Sequence, residues 1–140
     1  REKKMKKEAL SDIGVLFLRF GLAFVFFYFG LDKFIHMQAN ASTIASLGFA
    51  PFNPTFFTIF QGILEIMIGT FLVLGLFTRI AAGAASFMLT AIILVFWFKQ
   101  HTFLQRDVGL LAMALFLLLN GGGRLGLDRY VRVRGMLERN

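Results

Sequence analysis

The stretch Phe56 to Phe77, FFTIFQGILEIMIGTFLVLGLF, decides the fold. At roughly 1.5 Å per helical residue it is long enough to cross a hydrocarbon core of about 30 Å. Near its middle stands Glu65, the only charged residue in the run. A charge at the centre of a membrane helix costs about 2.5–3.5 kcal/mol on insertion scales, so it faces a protein interior or a wet cavity and finds a partner there. A second run, Ile13 to Leu31 (IGVLFLRFGLAFVFFYFGL), carries Arg19, the natural candidate for that partner.

Two further apolar runs follow. Ile80 to Phe98 (IAAGAASFMLTAIILVFWF) is long enough to span. Val108 to Leu119 (VGLLAMALFLLL) would reach only about 18 Å, so a fourth span has to start upstream, near Phe103. Arg106 and Asp107 then belong to the helix, and Asp107 becomes a second partly buried acid. The expected fold is all-α, an integral membrane four-helix bundle. Its basic N-terminal segment is 1–12, its bundle is 13–120, and its basic tail is 121–140. The spans fall at about 13–31, 56–77, 80–98 and 103–120.

Composition agrees. Of 140 residues, 57% are hydrophobic and 16% charged, with nineteen phenylalanines, more apolar surface than a soluble core of this size can bury. The absence of cysteine excludes thiolate catalysis, disulfide exchange and Cys-ligated metal centres. The net charge of +7 is concentrated at the two ends of the chain. That pattern fits anionic lipid headgroups and leaves no module for reading nucleic acid. Eleven Lys and Arg residues fall on the side of the termini and the 77–80 turn, against Lys33, Lys99 and Arg106 on the other. By the positive-inside rule both termini are expected to be cytoplasmic, with Tyr28 and Trp97 near the outer interface. The first span reads as uncleaved, because no small-residue site closes it.

The connection 32–55 is broken by Gly48, Pro51 and Pro54 yet made apolar by Phe49, Phe52 and Phe56. It is expected to form a short interfacial helix or a cap over the bundle. Asn120-Gly121-Gly122-Gly123 reads as a helix stop, since neither a preceding strand nor a following Lys-Ser/Thr makes it a phosphate loop. The tail beyond it mixes arginine with Val, Met and Leu and reads as a segment resting on headgroups.

Helical spacing places Arg19, Phe26, Gly30 and Lys33 on one face of the first span. Thr58, Gln61, Gly62, Glu65 and Gly69 share a face of the second, and Ala81, Ala82, Ala85 and Ser86 one of the third. Glycine and alanine let helices approach closely, and the polar atoms bond across the contact. The simplest assembly sets Arg19 against Glu65, although the two lie at different depths. That pair reads either as a clasp fixing helix register or as part of a pocket for a quinone ring, a proton or a small anion. Lys33, Arg106 and Asp107 form its rim or a solvated ion-pair cluster. His36 and His101 are the weak candidates for haem or copper ligation; lone histidines at helix ends are more often interfacial residues, so both metals are disfavoured.

The order of motifs is informative. A first span with an embedded arginine ends in YFGLDKF, and a second carries GILEIMIGTFLVLGLFTR. A third begins IAAGAASFML, and a fourth is introduced by RDVGLLAMALFLLL and closed by NGGGRLGLD. This resembles the DoxX family of small four-helix membrane proteins over about Gly14 to Asp128. The resemblance implies a redox-associated group, some of whose members resemble the small membrane subunit of an archaeal thiosulfate:quinone oxidoreductase, while others accompany oxidative-stress proteins. It singles out Arg19, Lys33, Glu65, Thr78, Arg79 and Asp107 as matching positions. Without cysteine, a thiol-based redox role does not carry over.

The leading expectation is an accessory, multi-pass cell-membrane subunit of a quinone-linked redox complex, more an accessory to an oxidoreductase than an enzyme alone. Its partners are membrane lipids and either redox subunits or further copies of itself. Its polar interior, drawn from Arg19, Lys33, Gln61, Glu65, Thr78, Arg79, Arg106 and Asp107, would hold a quinone or lipid headgroup. The alternatives are a scaffold or assembly protein without ligand and a small-solute or proton carrier.

Overall fold

In a computed structural model, residues 1–48 and 53–137 are described, and they contain helices and turns but no strand. Six helices follow in order: α1 (Glu2–Ile35), α2 (Met37–Ser46), α3 (Pro54–Leu74), α4 (Thr78–Gln100), α5 (Gln105–Asn120) and α6 (Leu127–Leu137). The expected 32–55 connection includes α2, while Phe49 to Phe52, on which its apolar character partly rested, lie outside the described residues.

The basic N-terminal segment and the first apolar run form one unbroken helix, α1, because no residue between them breaks the helix. Asn53 starts α3, its side chain accepting from the backbone amides of Thr55 (2.9 Å) and Phe56 (3.4 Å), with Pro54 in the first turn where its missing N–H costs nothing. Gly75, in the left-handed region at φ +65°, ends α3, and a three-residue turn leads into α4. The α5 helix begins at Gln105, leaving Phe103 in the connection, and its sixteen residues span about 24 Å. It stops at Gly121, the first of the glycine run.

Helices α1 and α3 pack antiparallel along a seam of small residues. A side chain added at Gly69 would meet the Ala23 carbonyl at 3.3 Å, and one at Gly62 would meet the Gly30 carbonyl at 3.3 Å. Spacings of seven in both helices, Ala23 to Gly30 and Gly62 to Gly69, keep this contact on one stripe. Helices α4 and α5 form a second pair, with Ala81, Ala82, Ala85 and Ala114 buried in the shared core beside Leu22, Leu72 and Leu117.

Much of the remaining apolar surface faces outward. Phe17 is 74% exposed and Phe87 79%, values that suit a bilayer and would be costly in water. Three helices, α1, α3 and α4, are long and apolar enough to cross a membrane.

Candidate functional site

The buried polar residues gather in two separate centres. The first lies at the end of the bundle formed by the α3–α4 turn, the end of α5 and the start of α6. Arg19, 1% exposed, does not reach Glu65. Its Nε donates to the Leu72 carbonyl (2.9 Å), Nη2 to the Val73 carbonyl (2.9 Å) and Nη1 to the Gly122 carbonyl (3.0 Å). The guanidinium thereby satisfies carbonyls at the end of α3 that lack helical partners, and ties them to the glycine loop after α5. The expected Arg19–Glu65 clasp is therefore wrong. Antiparallel packing sets Arg19 beside the last turn of α3, about two turns from Glu65.

Arg79 acts similarly on α5, its Nη2 donating to the Leu119 carbonyl (3.2 Å). Asp128 completes this centre from α6. Its carboxylate accepts from the backbone amides of Phe77 (2.6 Å) and Thr78 (2.9 Å), capping the start of α4, while its own amide donates to the Gly75 carbonyl (2.9 Å). Thr78 is fully buried, and its hydroxyl packs against Gly122 without a hydrogen-bond partner. Of the residues singled out from sequence, Arg19, Thr78 and Arg79 thus sit together in a helix-capping centre. Asp128 joins this centre with no signal of its own in the sequence beyond following the glycine run that stops α5.

The second centre lies toward α2. Glu65, 4% exposed, receives Lys33 Nζ on both oxygens at 2.9 and 2.8 Å, and Gln61 Nε2 lies 3.5 Å from the first of them. Lys33 reaches this position because its helix ends within a turn of it. Asp107, also 4% exposed, stands in the first turn of α5 and accepts from Arg106 Nε at 3.1 Å. The Arg106 guanidinium lies over the Phe29 ring, 4.5 Å from its centroid, and Lys33 Nζ is 6.0 Å from the same ring. Phe29, unremarkable in the sequence among nineteen phenylalanines, thus contacts both cations.

These polar groups line one end of a cavity of about 690 Å³ between the α1–α3 pair and the α4–α5 pair, roofed by α2 through Asn40, Thr43 and Ile44. The rest of the lining is apolar, supplied by residues such as Phe26, Ile68, Met88 and Leu110. The volume lies within the roughly 300–1,000 Å³ usual for small-molecule sites, which combine apolar walls with a few convergent polar groups. Lys33, Gln61, Glu65, Arg106 and Asp107 all reach it.

The two histidines lie elsewhere. His36 Nδ1 is 2.8 Å from Asp32 Oδ1 at the α1–α2 junction, where Asn40 also bonds Asp32, and His101 ends α4 with φ +50°. Among the described residues no group of three His, Asp or Glu side chains is placed to hold a metal.

A sequence profile of the DoxX family matches residues 14–100. The chain is 31% identical over 137 residues to a Mycobacterium tuberculosis protein described as uncharacterized membrane protein Rv3486, an alignment covering 86% of this chain and 82% of the relative. No solved structure matches the chain.

Proposed function

The chain belongs to the DoxX family and is a multi-pass membrane protein, and on that premise we propose that it binds the headgroup of a lipid-soluble quinone in the α2-roofed cavity, as a small accessory subunit beside a partner that carries out electron transfer. The observation that carries this reading is the presence of Lys33, Gln61, Glu65, Arg106 and Asp107 together in the lining of a cavity whose other walls, apart from Asn40 and Thr43 on α2, are apolar. A quinone ring has apolar faces and two carbonyl acceptors. The donors for those acceptors are Gln61 Nε2 and the Arg106 guanidinium, whose position over Phe29 suits a planar ring.

In this reading α5 is a fourth span and both termini are cytoplasmic, in keeping with the excess of Lys and Arg in the N-terminal segment, the α3–α4 turn and the tail. The cavity then opens in the outer half of the bilayer. The capping centre of Arg19, Arg79 and Asp128 is structural and faces the cytoplasm.

A scaffold without ligand is the second reading. It is favoured by the closed geometry of Lys33–Glu65, in which each carboxylate oxygen is already bonded to the ammonium. The test is native mass spectrometry of the protein taken from its own membranes in mild detergent. Quinone bound in stoichiometric amount alongside a companion subunit supports the proposal. A companion without quinone favours the scaffold, and a bare protein favours a carrier.

A further inference from the structure

The cavity has two mouths of opposite chemistry. Among its lining residues, the exposed apolar ones are Phe57, Phe60, Ala84, Phe87 and Ala91, all on α3 and α4. The exposed polar ones are Thr43 on α2 and Arg106 on α5. A side chain that both lines a cavity and faces outward marks an edge of its opening. Phe60 is 51% exposed on α3 and Phe87 79% exposed on α4, so the apolar opening lies between these two helices, on a face that meets lipid. The small residues Ala84 and Ala91, two turns apart on α4, leave the gap unfilled. Helices α3 and α4 are joined by a tight turn fastened through Asp128. They are held together at that end.

We infer that the gap between α3 and α4 is a lateral portal through which a single-tailed, lipid-soluble ligand enters from the bilayer, its head seated beside Lys33, Glu65, Arg106 and Asp107 and its apolar chain lying across Ala84 and Ala91 into the lipid. This rests on the quinone reading of the cavity and deepens it by naming the ligand's shape and route. The portal makes the chain part of what is recognised. A head without a tail would enter through the polar mouth at Thr43 and Arg106, whereas a tailed molecule needs the lateral gap. A chain lying across the portal buries apolar area against Phe60 and Phe87 in addition to the contacts of the head.

The experiment compares the full chain with its Ala91→Trp variant in phosphatidylcholine nanodiscs, titrated with decylubiquinone and with the same ring lacking the decyl chain. The expected result is a loss of at least tenfold in decylubiquinone affinity on Ala91→Trp, with binding of the tail-less ring unchanged. Ile80→Trp, which places the same indole at the exposed opposite end of α4, leaves both unchanged. Phe87→Ala, which widens the gap, is the complementary variant and raises the association rate of the tailed quinone. Equal effects of Ala91→Trp on both ligands, or no effect on either, overturn the portal while leaving the headgroup site standing. A native protein that binds neither compound overturns the quinone reading itself and the portal with it. A phospholipid retained by the native protein and lost in Ala91→Trp overturns the single-tailed ligand and assigns the route to a lipid.

Discussion

Lys33 Nζ sits 2.8 and 2.9 Å from the two carboxylate oxygens of Glu65, and neither residue is more than a tenth exposed. This pair joins the end of α1 to the middle of α3 directly beside the cavity. Breaking a buried pair by removing one partner leaves an uncompensated charge, at a cost of about 3–5 kcal/mol, whereas replacing both partners with apolar residues is often neutral. Lys33→Met and Glu65→Leu alone are each expected to destabilise by that amount. The double variant should be closer to the native protein than either single one, as read by denaturant unfolding in mild detergent. Its ligand binding should nevertheless be lost, which a purely structural clasp does not predict.

Arg19→Met removes the donor to three carbonyls at once. Hydrogen bonds from a charged donor contribute roughly 1.5–3 kcal/mol each, and not all of the orphaned carbonyls can be rescued by water within the bundle. A loss of at least about 3 kcal/mol in unfolding stability is expected. Arg19→Lys, with a point charge in place of the planar fork, recovers less than half of it. Any correctly folded fraction should bind quinone as the native protein does, because Arg19 lies in the capping centre and not at the cavity.

The sequence showed that charge was buried and on which faces, but not which charges met. Glu65 and Asp107 were recognisable because acids in apolar runs are costly, and Gly30, Gly62 and Gly69 because they recur on the faces that carry the charges. Opposite charge alone does not pair Arg19 with Glu65: the two differ in depth, and Lys33 shares the same face of α1 at the better depth. Phe29 and Asp128 were not legible in the same way. One is chemically identical to eighteen other phenylalanines. The other acquires its role only when the chain returns past α5 to the α3–α4 turn.

Asp128→Ala removes the cap from the start of α4, at an expected cost of about 1 kcal/mol. It also loosens α6, which is then held to the α3–α4 turn by the backbone amide of residue 128 on the Gly75 carbonyl alone. Hydrogen exchange should show faster labelling confined to α6 and the first turn of α4, with the amides of α5 unchanged.

Glycine substitutions should divide sharply. Gly75→Ala places a side chain in the left-handed region, and its Cβ strikes the Arg19 guanidinium, so a cost above about 2 kcal/mol is expected. Gly14→Ala, where nothing lies within 4 Å inside α1, should stabilise by roughly 0.5–1 kcal/mol. Thermal unfolding of the two variants side by side reads the contrast.

Whether a quinone head occupies the end of the cavity between α1, α3 and α5 is read out by photolabelling with an azido-quinone followed by peptide mapping. A head seated there gives labelling concentrated on α3 around Gln61 and Glu65 and on α5 around Arg106 and Asp107. That labelling is suppressed by excess unlabelled quinone and abolished by Asp107→Asn combined with Arg106→Gln. Label spread instead over lipid-facing residues such as Phe17 and Phe24, insensitive to competitor and to both substitutions, would contradict it.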